Sequence, residues 1–173
     1  MEKPKTQMPQ TDNERPLAEE ENPAAQQENR PKWDVFQSAI LDYASANRIP
    51  YKGTFELTPR CSLKCKMCLM RLDGCDMPAQ GRELTTAEWI RLGGMAFEAG
   101  TMDLLLTGGE PMLRPDFAEI YEALSDMGFL LRVFTNGTLL TPKILSLFEE
   151  RPPQGIELTV YGASPETYER VGG

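Results

Sequence analysis

Apolar residues along this chain recur with two different periods, and the switches between them mark out its elements. Trp33, Phe36, Ile40 and Tyr43 are spaced three, four and three apart, which places them on one face of a helix over 33–46 that Pro50 stops. That stripe reads as packing surface, expected to close the bottom of a barrel or cover an edge strand. GTFELT at 53–58 is a short β-rich run and the first expected strand. Thr85-Thr86-Ala87-Glu88 has the form of a capping box and opens a helix to about Glu98, with Trp89, Leu92 and Met95 on one face and Gly100 ending it. Residues 102–106 are apolar except for Asp103, as expected of a strand buried on both faces of a parallel sheet. Pro115 and Asp116 start a second helix to Met127, and Gly128 ends it. A third strand over 129–134 runs into the turn Thr135-Asn136-Gly137. Thr141-Pro142 caps a helix to about Glu150, and 156–160 is the fourth strand.

Strand and helix alternating at this spacing predict right-handed βαβ units, hence an α/β fold with about four parallel strands whose C-terminal ends form the site-bearing rim. Residues 1–31 have a different character. Pro4, Pro9, Pro16 and Pro23 lie among Glu, Gln and Asn with hardly any large apolar side chain, so this segment is expected to be a disordered acidic tail. The expected organisation is therefore a tail over 1–31, an N-terminal helix over 32–50 and a core over 51–173.

Composition narrows the function classes. The chain is 40% hydrophobic and 25% charged, a soluble globular balance, and no apolar run approaches the ~20 residues of a membrane span. The N-terminus has no apolar signal-peptide core, so a cytoplasmic location is expected. A formal charge of -8 argues against nucleic acid as a partner. The absence of histidine removes imidazole-ligated zinc, catalytic triads and imidazole bases.

Thiolates remain. Cys61, Cys65 and Cys68 form a C-x3-C-x2-C run directly after the first strand, in TPRCSLKCKMCLMRLDGC. A four-iron cluster normally takes four cysteines, so three leave one iron open to a substrate. Other sites also suit these cysteines: a structural all-cysteine zinc site closed by Cys75, or a closed electron-transfer cluster. The same loop carries Arg60, Lys64, Lys66 and Arg71 without an acid, a local positive region on an acidic chain. After the second strand comes Thr107-Gly108-Gly109-Glu110-Pro111. Its glycines remove Cβ atoms where the backbone must approach something closely, and Glu110 presents a carboxylate.

The C-x3-C-x2-C spacing followed by TGGEP resembles the radical S-adenosylmethionine (SAM) superfamily over roughly residues 52–165. The longer text GTFELTPRCSLKCKMCLMR, ELTTAEW, TGGEPMLRPDF, TNGTLLT and ELTVYGASPETYERV is similar to its peptide-modifying branch with a C-terminal SPASM domain. The resemblance implies an incomplete TIM-like (β/α)6 barrel, which the chain follows through four strands. It also implies a 4Fe-4S cluster on Cys61, Cys65 and Cys68 whose open iron chelates SAM, and reductive cleavage of SAM to a 5'-deoxyadenosyl radical that abstracts hydrogen.

On the same basis Thr107, Gly108, Gly109 and Glu110 match the motif for the amino group of SAM, and Met67 sits where a bulky residue flanks the adenine. Asn136 and Ser164, at the ends of the third and fourth strands, are placed to bond the methionine carboxylate or the ribose, or else to satisfy their own turns. No catalytic acid or base is assigned. The implied partners are a probable peptide substrate and a low-potential electron donor such as flavodoxin, steered by Lys64, Lys66 and Arg71. The competing functions are a cofactor-biosynthesis enzyme of the same superfamily and a noncatalytic zinc or electron-transfer module.

Overall fold

The computed structural model of the chain describes residues 33–68 and 81–172, without the side chains of residues 33 and 34. The expectations for residues 1–31, and for Arg71 and Cys75, lie outside these. The chain divides into two units, Met1–Ala39 and Ile40–Gly173, and the first helix, α1 (Trp33–Ala46), begins in one and ends in the other. In the second unit this helix turns Ala44 inward, 6% exposed, while Tyr43 is 64% exposed. The expected apolar stripe is therefore out of phase there, with a small side chain buried and the expected aromatic one outside.

Four parallel strands follow in the order β1-β2-β3-β4: β1 (Lys52–Glu56), β2 (Asp103–Thr107), β3 (Leu130–Thr135) and β4 (Gly155–Leu158). The register pairs Phe55 with Leu106 and Leu104 with Leu131, so the strand ends that carry the motifs fall on one rim. Leu104, Leu106 and Val133 are completely buried, as inner strands of a parallel sheet require. Asp103, the polar exception in β2, is buried but accepts from Arg132 Nε on β3 at 2.9 Å, so its charge is paired.

The helices are α2 (Thr86–Glu98), α3 (Phe117–Asp126), α4 (Pro142–Glu150) and α5 (Pro165–Gly172). The capping box at the start of α2 is complete: Thr85 accepts from the Glu88 N–H, and Glu88 accepts from the Thr85 N–H. Met95 is 55% exposed, whereas Trp89 and Gly93 are buried. The buried face of α2 includes a glycine that hydropathy ignores: a Cβ on Gly93 would lie 2.3 Å from Leu124 Cδ2 on α3, so any side chain there would make Leu124 shift. Phe117, Tyr121 and Phe148 pack the outer core between α3 and α4, and burial pushes the Tyr121 phenol up to about 12. The sequence reading assigns no helix after the fourth strand. The structure has α5 there, and the Ser164 hydroxyl accepts from the Thr167 N–H at its start.

Candidate functional site

The rim is built by two loops whose backbones meet. Beyond β1 the chain continues the ladder for one more bond, Leu57 N–H to the Thr107 carbonyl at 2.9 Å, and then turns outward into the cysteine run. Gly109 N–H donates to the Thr58 carbonyl and Glu110 N–H to the Arg60 carbonyl, both at 2.8 Å. These contacts explain the paired glycines. A Cβ on Gly108 would lie 2.4 Å from the Thr58 oxygen, and one on Gly109 would lie 2.3 Å from the Arg60 oxygen. Gly108 also has φ +131°, a conformation that side chains disfavour. The close approach expected at this motif is thus an approach to the backbone that leads into Cys61.

Glu110 is completely buried, and its carboxylate points into the protein. It accepts from Met112 N–H at 3.2 Å, from the Thr135 hydroxyl at 2.9 Å and from Asn136 N–H at 2.8 Å. A carboxylate offers about four lone-pair sites, so three donors leave room for roughly one more. One side chain therefore braces the turns after β2 and β3 together.

Asn136 reaches the cysteine loop. Its Nδ2 donates to Ser62 Oγ at 3.1 Å and lies 3.5 Å from Cys61 Sγ, while its Oδ1 accepts from the Thr138 N–H at 2.9 Å. Leu63 N–H also donates to Cys61 Sγ, at 3.4 Å. All three cysteines are free thiols, with Cys61 and Cys68 exposed and Cys65 buried. The loop is bonded to α5 through Lys64 N–H to Gly172 O and Lys66 N–H to Val171 O. A hydrogen bond to Cys65, followed by burial, pushes the Tyr161 phenol up to about 12.

Met67 is 68% exposed. Ser164 is exposed and its hydroxyl is engaged with Thr167, the local turn arrangement. The geometry thus joins Cys61, Gly108, Gly109, Glu110 and Asn136 into one bonded group and leaves Ser164 to its own helix.

By donor chemistry the thiols suit an iron-sulfur cluster: three soft ligands on one short loop, with N–H groups directed at Cys61 sulfur. Among the described residues no three metal-ligating side chains are gathered closely enough to hold a single ion.

The sequence reading missed the ionic group beneath this loop. Arg60 pairs with Glu83 at 2.7 Å, so its charge is balanced within the chain. The bond from Arg60 holds the Glu83 carboxyl below its usual range, and Arg114 does the same to Asp116. The signal for Arg114 and Asp116 was present in TGGEPMLRPDF, but the other partners of Arg114, Leu57, Glu83 and Leu84, lie far off in sequence.

A parallel sheet that delivers a three-cysteine loop and a Gly-Gly-Glu turn to one rim is an α/β fold with a candidate cofactor site at the C-terminal ends of its strands. The model of the Radical SAM superfamily matches residues 55–173, and the chain belongs to that superfamily. It is 36% identical over 118 residues to the PqqA peptide cyclase of Ruegeria pomeroyi, and 34% identical over 118 residues to that of Rhizobium meliloti. Each alignment covers 68% of this chain and 31% of the relative, so the chain spans about a third of the length of these proteins.

Among solved structures, Streptococcus suis SuiB bound to precursor peptide SuiA aligns with TM-score 0.60 and 18% identity, over 81% of this chain and 33% of that one. SuiB bound to S-adenosylmethionine aligns with TM-score 0.59 and 18% identity, over 79% and 32%. At this identity the structures establish the fold, a TIM-like half-barrel. No described helix is long and apolar enough to cross a membrane.

Proposed function

We propose that this chain is the SAM-activating part of an enzyme that modifies a ribosomally made peptide by hydrogen abstraction from an unactivated carbon. The observation that carries the reading is the pair of bonds from Gly109 and Glu110 N–H to the Thr58 and Arg60 carbonyls, which set the Gly-Gly-Glu turn against the root of the cysteine loop. In this reading Cys61, Cys65 and Cys68 hold a 4Fe-4S cluster. A cluster held by these residues would supply the single electron needed for reductive cleavage of a C–S bond of SAM.

The chain's own residues orient the cofactor. Thr107, Gly108 and Gly109 offer backbone groups to the ammonium end of SAM, and Glu110 holds that turn in place from within. Asn136 holds Cys61 by its side chain, while Met67 flanks the adenine. Lys64 and Lys66 are exposed and suit an acidic low-potential donor such as flavodoxin. The peptide class is supported by the relatives, one named for cyclising a peptide and one solved with a precursor peptide. A reducing, cytoplasmic compartment suits the free thiolates.

The test is anaerobic reconstitution with iron and sulfide, then dithionite and SAM. The expected outcome is formation of 5'-deoxyadenosine and methionine above a cluster-free control. A reconstituted cluster that leaves SAM intact under these conditions would refute the activation step.

A further inference from the structure

The excursion that carries the cysteines leaves the end of β1 at Leu57 and reaches the core again at Leu84, just before α2, and both points are tied to one buried side chain. Arg114, 6% exposed, donates from Nη1 to the Leu57 carbonyl and from Nη2 to the Leu84 carbonyl, each at 3.0 Å. Its Nε and Nη2 also hold the Asp116 carboxylate at 2.9 and 2.6 Å. Asp116 in turn accepts the hydroxyl of Thr86, the first residue of α2, at 2.6 Å. A guanidinium has five N–H donors in a rigid fork, which suits this set of acceptors spread around one plane. A lysine ammonium at the same place is a point charge without that fork.

A second rung lies one step further into the excursion. Glu83 accepts from Arg60 Nε at 2.7 Å and Nη2 at 3.0 Å, and from the Thr58 hydroxyl at 2.5 Å. It also lies 3.5 Å from Arg114 Nη1. Residues 57, 58 and 60 enter the excursion and residues 83 and 84 leave it, so every one of these bonds either spans the neck or anchors Arg114 at it. The same Thr58 and Arg60 present their carbonyls to the Gly-Gly-Glu turn.

We propose that Arg114, Asp116, Glu83 and Arg60 form a clasp that closes the neck of the cysteine-bearing excursion, and that Arg114 is a positioning residue for whatever the cysteines hold. Closing the neck within the fold fixes both ends of the excursion before anything binds to the cysteines. It also fixes the two carbonyls that meet Gly109 and Glu110. The clasp rests on the cluster reading only where iron is measured, because closure of the neck is a property of the metal-free protein as well.

The experiment uses Glu83→Ala, Glu83→Gln and Arg114→Lys. The first readout is residue-resolved hydrogen exchange in the metal-free protein, comparing the Leu57, Gly109 and Glu110 amides with those of Leu104 and Leu106 in the sheet. The second is the rate at which a ferrous chelator strips iron from the reconstituted protein. Glu83→Ala is expected to speed exchange at the three rim amides, and iron loss, about tenfold. Glu83→Gln keeps an acceptor oxygen and should speed both by about threefold, between parent and Ala.

Arg114→Lys should raise both on the order of tenfold or more, with the sheet amides changed less than the rim. Exchange that quickens equally at rim and sheet amides would mean a merely structural contribution and would overturn the proposal. So would parental rates at the rim in all three variants. Failure of the parent to take up a cluster would sink the cofactor reading instead, leaving the exchange comparison to decide the clasp.

Discussion

The loops after β1 and β2 leave neighbouring strands on one rim and are stabilised in opposite ways. After β2 the chain is short and committed: the Gly109 and Glu110 N–H groups are bonded, the Glu110 carboxylate takes three donors, and Pro111 and Met112 are buried. After β1 the described residues through Cys68 are mostly exposed, and order comes from the outside: the Gly-Gly-Glu turn, Asn136 and the end of α5. The rigid loop is thus a template and the cysteine loop is laid on it. The glycines serve the cysteine loop first, because the atoms a Cβ would strike belong to Thr58 and Arg60 rather than to open space.

The comparison breaks most severely at Gly109. Gly109→Ala forces its Cβ against the Arg60 carbonyl, whose backbone cannot rotate away, and should cost about 1–3 kcal/mol in chemical denaturation. It should also lower iron uptake. Gly94→Ala in α2 is the control, since a Cβ there meets nothing within 4 Å. Helix propensity then predicts that this variant is neutral or up to about 1 kcal/mol more stable. Equal losses from both alanines would mean that the rim glycines are ordinary turn residues.

A smaller effect sharpens the comparison through pH. Glu83 and Asp116 lie below their ordinary values of 4.5 and 3.8, Glu83 mainly through its bond from Arg60 and Asp116 mainly through its bond from Arg114. Groups lowered in this way stabilise the folded state above those ordinary values, and the contribution is lost as pH falls through the lower folded values. Melting of the metal-free protein should therefore show no change from these two groups between about pH 7 and 5, and a fall below about pH 4.5. Arg60→Ala should make that fall shallower by removing the chief cause of the Glu83 shift. An acid limb identical in parent and variant would show that the Arg60–Glu83 pair contributes nothing to closing the neck.

What was legible in the sequence follows from the range of the interactions involved. The order of strands and helices was readable because β2 carries the apolar run Leu104-Leu105-Leu106 and Thr85 and Glu88 form a local capping box. The phases of α1 and α2 were not, since Ala44 and Gly93 are buried positions that carry little hydropathy signal. The cysteines and the glycine motif stood out by chemistry and spacing. The inward-facing role of Glu110 did not, because its partners Thr135 and Asn136 follow 25 and 26 residues later. Arg114 was hidden in the same way, its Leu57 and Leu84 acceptors lying 57 and 30 residues away. The Ser164-Pro165-Glu166 start of α5 was visible in the text and went unread as a helix.

The central claim is that Cys61, Cys65 and Cys68 alone ligate a cluster with one iron left for SAM. The most direct measurement is metal analysis with electron paramagnetic resonance of the dithionite-reduced protein, with and without SAM, for the parent, Cys75→Ala and Cys65→Ala. The account predicts ~4 iron per chain in the parent and in Cys75→Ala, a signal that changes on adding SAM, and loss of both iron and signal in Cys65→Ala. A parent that holds a single zinc, and loses it in Cys75→Ala, would contradict it.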